Sequence, residues 1–342
     1  MRIAIHPELV QGESFSARWA HELTIMGHDV DLVSLSDPDF FPRVNACAGF
    51  LWWFPPSAME RDAGRRLLSA LDHGSSVVVH PDWKSCWHFD DKIAQAYLFQ
   101  AAGIPIPRTA VFWRFEEAMA FFRQARYPLV IKLSFGFRGN NVGLLRSRAE
   151  AEAMARRLFG PGLATLQPSR FASLRDALRP IRAGLCDLLG TEPTRSPLRE
   201  QSCMLVQEFI PGNDYDTRVN VIGDRAFAWR RGNAPNDFRA SGAGRQDVDP
   251  AKIDQRAVGL AYGTARALGM RTAAVDMLCH DGEFVVSEVS YYFEPFLVRR
   301  CIGHWLFDGD EPRWVDGVVE PETAILEDFL LRLTPAGLTA TG

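Results

Sequence analysis

The spacing of apolar and polar positions changes several times along the 342-residue chain, and each change marks an element. Ile3-Ala4-Ile5 is a short apolar strand. Residues 14–26 carry Phe15, Trp19, Leu23 and Met26 at helical spacing, and Gly27 stops that helix. Val30 to Val33 starts the next strand. Gly49 to Phe54 and Ser76 to Val79 are further apolar runs, separated by a helical stretch from Met59 to Leu71. Strands alternating with helices predict a small open α/β domain ending near residue 88. No G-x-G-x-x-G follows the first strand, so a dinucleotide cofactor is not expected there.

Residues 90–103 read as a helix with Asp90 as its cap, Ile93, Tyr97 and Leu98 on one face, and Gly103 as its stop. The segment IPIPRTAVF runs extended, because each Pro biases the residue before it away from helix. Residues 115–125 are helical and Pro128 to Leu133 form an apolar strand. A glycine-bearing turn, SFGFRGNNVG, leads to another strand and a helix from Arg148 to Leu158. Residues 160–202 break the pattern with Pro161, Pro168, Pro180, Pro193 and Pro197 and many arginines. They read as an insertion, for which a solvated helical excursion without chemistry is the plain alternative. From residue 204 the strands resume with MLVQEFI, then TRVNVIG and its hairpin partner RAFAWRR. Residues 252–268 predict a helix. AAVDMLCH and EFVVSEVS form a hairpin around Asp281-Gly282, and AILEDFLLRL closes the chain as a helix. There is no internal repeat.

Composition narrows the class. Hydrophobic residues at 47% and charged residues at 23% are the proportions of a folded soluble chain and exclude a low-complexity one. Thirty-eight Lys and Arg against 42 Asp and Glu give a formal charge of -4, which gives no support for a nucleic-acid binder driven by bulk electrostatics. MRIAIHPELV is not a secretory signal, and no run reaches about 18 apolar residues, so no membrane span is expected. Cys47, Cys86, Cys186, Cys203, Cys279 and Cys301 form no C-x-x-C pair and have no His at zinc spacing. A reduced, cytoplasmic protein without a structural metal is the expectation. Cys203 and Cys279, in apolar runs, read as buried thiols.

Four constellations carry chemistry. Lys132 lies in an apolar strand, where an ammonium is costly without a negative partner. Ser134 to Gly143 follow, with Gly136, Gly139 and Gly143 able to turn successive N–H groups toward an anion and Ser134, Asn140 and Asn141 as further donors. A surface hairpin with a snorkelling lysine is the alternative. Asp276 and Glu288 stand on the two arms of a hairpin, where facing carboxylates repel unless a cation such as magnesium sits between them. A plain two-residue turn places Asp276 opposite Ser287. Only a three-residue loop or a bulge places it opposite Glu288. Gln207-Glu208-Phe209-Ile210, at a strand end, offers main-chain groups to an adenine edge, and Asp216 offers an acceptor to ribose. Arg218, Arg230, Arg231 and Arg239 lie on or just after one sheet. Arginine pairs bidentately with carboxylate or phosphate, although any one of them reads more simply as a surface residue.

In this order the pieces resemble the ATP-grasp superfamily. The matching motifs are Asp91-Lys92, Lys132 with Gly136 to Gly143, Gln207 to Ile210, Asp216, and Asp276 with Glu288. The stretch VQEFIPGNDYDTRVNVIGDRAFAWRR also resembles ligases that add glutamate to protein tails and, more distantly, D-alanine ligases. The resemblance covers about residues 1–300. It implies an α/β protein in which two α+β lobes sandwich ATP, preceded by the small open α/β domain. The implied boundaries are 1–88, 89–205 with the insert at about 160–202, and 206–342 with the C-terminal helix.

The resemblance also implies roles. Lys92 and Lys132 would contact the α- and β-phosphates, and Gly136, Gly139 and Asn140 would cover the β- and γ-phosphates. The carbonyl of Gln207 and the N–H of Ile210, flanked by Glu208 and Phe209, would read adenine, and Asp216 the ribose. Asp276 and Glu288 would hold magnesium. Arg218 and Arg239 would steady the transferring phosphoryl group or the carboxylate. The family usually has Asn two residues after the second carboxylate; here that ligand position is Ser290, a departure that puts a second magnesium in question. The ending, SYYFEP through GHW and PETAILEDFL, is similar to ATP-grasp proteins of polysaccharide gene clusters.

The activity so implied is ATP- and magnesium-dependent joining of a small carboxylate to an amine, with amino acids and acidic sugars as candidate substrates. No nucleic-acid or membrane partner is expected, and oligomerisation is left open. A kinase that stops at a phosphorylated product and a nucleotide-binding protein without catalysis are the alternatives.

Overall fold

The computed structural model describes residues 1–8, 14–136, 141–164, 166, 199–235, 237–240, 245–309 and 311–333. The chain divides into two compact units. One comprises Met1–Asp90, Phe99–Pro105 and Gly212–Gly342, the other Asp91–Leu98 and Ile106–Pro211.

The first unit opens with β1 (Arg2–Ile5), α1 (Phe15–Ile25), β2 (Asp29–Leu32), α2 (Phe40–Asn45), β3 (Gly49–Leu51), α3 (Ala58–Gly74), β4 (Val78–His80) and α4 (Trp83–Cys86). The strands run parallel in the order β2-β1-β3-β4. Parallel strands are covered on both faces and so read as unbroken apolar runs, and Ile3, Ala4, Ile5, Phe50 and Leu51 are all fully buried. Ser14 and Ser57 start α1 and α3 by accepting the N–H groups of Ala17 and Glu60.

In the second unit lie the start of α5 (Lys92–Ala101), then β5 (Thr109–Phe112), α6 (Phe115–Phe122), β6 (Leu129–Lys132), β7 (Val142–Leu145), α7 (Arg148–Leu158) and β8 (Met204–Glu208). The four strands are antiparallel in the order β5-β8-β6-β7. One face packs Ile131, Leu133, Met204 and Val206 against Phe122, Ala151, Ala155 and Leu158. The other packs Cys203 and Leu205 against Ile93 and Ala96 of α5. Side chains alternate along a strand, so Lys132, paired with Leu205, belongs to the face that α5 covers. The cap of α5 is Asp91, not Asp90. The Asp91 carboxylate accepts from the Ala94 N–H at 3.0 Å. Asp90 has a left-handed backbone, φ 50°, and its carboxylate is taken by Arg61 in a buried pair at 2.6 Å.

The first unit resumes with β9 (Tyr215–Ile222), β10 (Arg225–Gly232), β11 (Arg245–Asp247), α8 (Gln255–Ala267), β12 (Thr272–His280), β13 (Glu283–Ser290), α9 (Pro295–Arg300), β14 (Gly303–Leu306), β15 (Arg313–Asp316) and α10 (Pro321–Leu333). Its sheet is antiparallel, ordered β13-β12-β9-β10-β14-β15, with β11 beside β10. The short strands β11, β14 and β15 carry too few alternating positions to show in the sequence pattern.

The parallel sheet and this later sheet share buried contacts. Trp19, fully buried, donates its indole N–H to the carbonyl of Glu322 at 2.9 Å. The Tyr291 hydroxyl is held by the main chain of Phe54, accepting its N–H and donating to its carbonyl. Cys203 is buried as expected, but Cys279 is exposed. β12 outruns its pairing with β9 after Met277, and Asn213 holds the main chain of Cys279 on both sides, leaving the thiol in solvent. Among the described residues no helix is long and apolar enough to cross a membrane. The insert expected at 160–202 falls largely outside the described residues.

Gly49 of β3 sits beneath the ring of Phe329 of α10, where an added Cβ would collide. Gly49→Ala is expected to lower the free energy of unfolding by about 1–3 kcal/mol through overpacking. Urea denaturation measures this, and an unchanged midpoint would contradict the packing described.

Candidate functional site

The β12–β13 hairpin turns at Asp281 and Gly282, whose φ values of 51° and 86° belong to a two-residue turn with both central residues left-handed. That turn pairs His280 with Glu283 and keeps its register through Met277 and Val286. Ser287 is then an extra residue. The register shifts between Met277 and Asp276, and Asp276 comes directly opposite Glu288. Of the two routes by which the carboxylates can meet, the chain takes the bulge and keeps the plain turn.

On the other side of β12, Asp276 faces Arg218 of β9. The guanidinium holds the carboxylate bidentately, with Nε to Oδ1 at 2.5 Å and Nη2 to Oδ2 at 2.7 Å. Across the next strand boundary Asp216 of β9 faces Arg231 of β10, again bidentately, at 2.7 and 2.5 Å. Arg231 also reaches Asp276 Oδ2 at 2.7 Å. Asp216, Arg218, Arg231 and Asp276 thus form a ladder of alternating charge across three strands.

The ladder is well shielded, with Arg231, Asp276 and Asp216 only 9%, 10% and 13% exposed at the side chain. Burial alone would raise the Asp276 pKa. The guanidiniums of Arg218 and Arg231 outweigh it and hold the group down to about 2. Burial opposes the charge on Arg231, and Asp276 and Asp216 overcome it and raise its pKa. Reading arginines one at a time hides Arg231 as a surface residue. Its signal is the Gly223-Asp224 turn, which pairs Ile222 with Arg225 and therefore Asp216 with Arg231.

The remaining expected residues of this unit are engaged locally. Each Asp216 oxygen accepts from Arg231, which leaves further lone pairs on both for a ribose hydroxyl. Ser290 Oγ closes a turn, donating to the Tyr292 carbonyl at 2.9 Å and accepting its N–H at 3.0 Å. Arg239 is gripped by Asp237, two residues earlier, at 2.9 and 2.6 Å.

In the other unit, Lys132 ends β6 and is buried, as is Lys92 at the start of α5. The Lys92 main-chain N–H donates to the Ser134 carbonyl at 2.9 Å, and its ammonium donates to the Gly136 carbonyl at 2.7 Å. Asn141 donates to the Phe135 carbonyl at 2.8 Å. The loop after Lys132 is therefore tied at three successive carbonyls. Gly139 and Asn140 lie outside the described residues. Gln207 is inside β8, with its amide donating to Thr109 Oγ1 at 2.8 Å. Glu208 accepts the Arg108 N–H at 3.0 Å. Phe209 and Ile210 lie beyond the end of the strand.

For magnesium, Asp276 and Glu288 are a fitting but incomplete ligand set. Magnesium is bound through one or two carboxylates, with phosphate oxygens and water filling the shell. Among the described residues no three His, Cys, Asp or Glu side chains gather as a metal cage. The two guanidiniums on Asp276 offset much of its charge, so a cation there depends on further negative oxygens brought by a substrate.

Comparison with known proteins gives the class first. The chain has the ATP-grasp fold. It is similar over 96% of its length, and all of the other chain, to the crystal structure of a RimK domain ATP-grasp protein from Sphaerobacter thermophilus, with a TM-score of 0.55 and 19% identity. D-alanine–D-alanine ligase from Bacillus anthracis complexed with ATP is similar over 97% of this chain and 98% of its own, with a TM-score of 0.55 and 15% identity. More particularly, residues 193–293 match the RimK-like ATP-grasp domain. A probable alpha-L-glutamate ligase of Haemophilus ducreyi is 25% identical over 202 residues, which are 58% of this chain and 53% of that protein. The chain thus spans about half the length of the curated relative it matches.

Replacing Arg231 with Met removes the guanidinium hydrogen-bonded to Asp216 and one of two that, among the described residues, pair with Asp276. Breaking a buried pair in this way is expected to lower stability by about 3–5 kcal/mol. Chemical denaturation of Arg231→Met measures the loss, and a loss below 1 kcal/mol would place the ladder with exposed ion pairs.

Proposed function

We propose that the protein is an ATP- and magnesium-dependent ligase that joins a carboxylate to an amine. The substrate carboxylate oxygen attacks the γ-phosphorus of ATP, the bond to the bridging oxygen breaks, and ADP leaves. The amine nitrogen then attacks the acyl carbon, phosphate departs, and an amide remains. Little covalent chemistry falls to the protein in such a transfer, so its task is positioning and charge neutralisation.

One observation carries the reading: the bulge at Ser287 brings Asp276 opposite Glu288 with Arg218 on the adjoining strand. A hairpin in simple register would separate those carboxylates onto opposite faces. Within this proposal, Asp276 and Glu288 would hold magnesium, which would supply charge neutralisation at the phosphates. Lys92 and Lys132 hold the α- and β-phosphates, and Gly136 to Gly143 cover the β- and γ-phosphates. The strand end from Gln207 to Ile210 reads adenine. Arg218 and Arg239 stabilise the transferring phosphoryl group or orient the carboxylate. The probable glutamate ligase and the D-alanine ligase among the similar proteins support an amino acid as the carboxylate donor or amine acceptor.

A second reading, nucleotide binding without catalysis, is favoured by Ser290. Its hydroxyl is committed to the Tyr292 turn where the family usually has an asparagine ligand.

ADP release, screened over amino acids and acidic sugars with amine acceptors, separates these readings. A ligase yields ADP together with an amide, a kinase yields a stable phosphorylated product, and a binding protein yields no ADP. Lys132→Ala is expected to abolish nucleotide turnover while the far-ultraviolet circular dichroism stays native. Undiminished turnover in that variant would remove Lys132 from the nucleotide site.

A further inference from the structure

We propose that Glu200 is a positioning residue for the two lysines, Lys92 and Lys132, at the start of the glycine loop. The inference deepens the nucleotide-binding part of the proposed function and rests on it.

Glu200 lies just before β8 and is only 4% exposed. Its carboxylate Oε2 accepts the main-chain N–H of Ser134. On the other side of the same residue, the Ser134 carbonyl accepts the main-chain N–H of Lys92 at 2.9 Å. Ser134 is therefore held at both its N–H and its carbonyl, two residues after Lys132. One residue thus couples the end of β6, which carries Lys132, to the first turn of α5, which carries Lys92. Lys92 closes the arrangement by donating its ammonium to Gly136. Without an acceptor at the Ser134 N–H, that part-buried donor loses its partner and the residue keeps only the tether at its carbonyl.

The main chain of Glu200 is equally fixed. It pairs with Leu163 in both directions, at 2.9 and 2.8 Å. The carboxylate is thus presented from a braced backbone. Its environment is otherwise poor for a charge. Oε1 is buried, and the Ser134 and Cys203 side chains beside the carboxylate favour its charge less than burial opposes it. The Cys203 thiol and Asp91 are the neighbouring titratable groups, and burial pushes the Glu200 pKa up. An apolar side chain would fill this volume at lower desolvation cost. What the carboxylate adds is a fixed acceptor at the Ser134 amide, the second after the lysine strand.

The test compares binding of magnesium-ATP and of adenosine, by calorimetry, in the wild type, Glu200→Met and Glu200→Gln. Met fills the volume without an acceptor, whereas Gln restores an oxygen. Loss of a hydrogen bond to a charged group is expected to weaken ATP binding about tenfold or more in Glu200→Met. Adenosine, which has no phosphate for the lysines to hold, should bind within about twofold of wild type. Glu200→Gln should recover most of the ATP affinity. Equal weakening of ATP and adenosine would make Glu200 a purely structural residue and overturn the proposal, as would unchanged ATP binding in Glu200→Met. Should Glu200→Met fail to fold, Glu200→Asp, which withdraws the acceptor by one methylene, decides by the same contrast. A wild type that binds no ATP would instead overturn the nucleotide-site reading beneath it.

Discussion

Register is the constraint on which the candidate site depends. Asp216, Arg218, Arg231 and Asp276 come from three strands and share one sheet face, and each carboxylate is matched to a guanidinium. A slip of one residue in any of the three would turn its charged side chains to the opposite face and strand the rest. Buried charges of this kind are costly without partners, so the ladder tolerates one pairing and penalises the others. The bulge at Ser287 extends the same face to Glu288 without altering the turn at Asp281-Gly282.

The later sheet does not carry this load alone. Tyr291, the first residue after β13, is fully buried and hydrogen-bonded to the main chain of Phe54 beyond β3. Trp53 packs its ring against Tyr292 and Phe293 and stacks on Phe15 at 4.0 Å. The carboxylate-bearing hairpin is thereby continuous with the aromatic contacts at the end of the parallel sheet. In the other unit, main-chain tethering takes the place of the ladder. Lys92, Asn141 and Glu200 fix the segment after Lys132 through its carbonyls and one amide.

Much of this was legible in the chain. The alternation of strands and helices over the first 88 residues predicted a small open α/β domain, and Ser14 and Gly27 bracket α1 near where expected. Lys132 and the glycines after it, and Asp276 with Glu288, stood out because charge and glycine are unusual in such strands. Other features were hidden. Asp90 and Asp91 are adjacent carboxylates, and only the buried Arg61 decides which of them caps α5. Cys279 sits in an apolar run, yet its strand outlasts its neighbour and the thiol meets solvent. Glu200 had no local signal, because the donor it serves is 66 residues away in sequence.

The sequence by itself determined the element types, the fold class and the identity of the charged residues, because those follow from local periodicity and from residue types that are costly to bury. It also narrowed the carboxylate hairpin to two registers. Only the tertiary structure decided between them, placed Arg231 on both Asp216 and Asp276, and closed the Ser290 hydroxyl into a turn. The reason is that pairing across strands, and the desolvation that makes it matter, depend on neighbours that the chain brings together only when it folds.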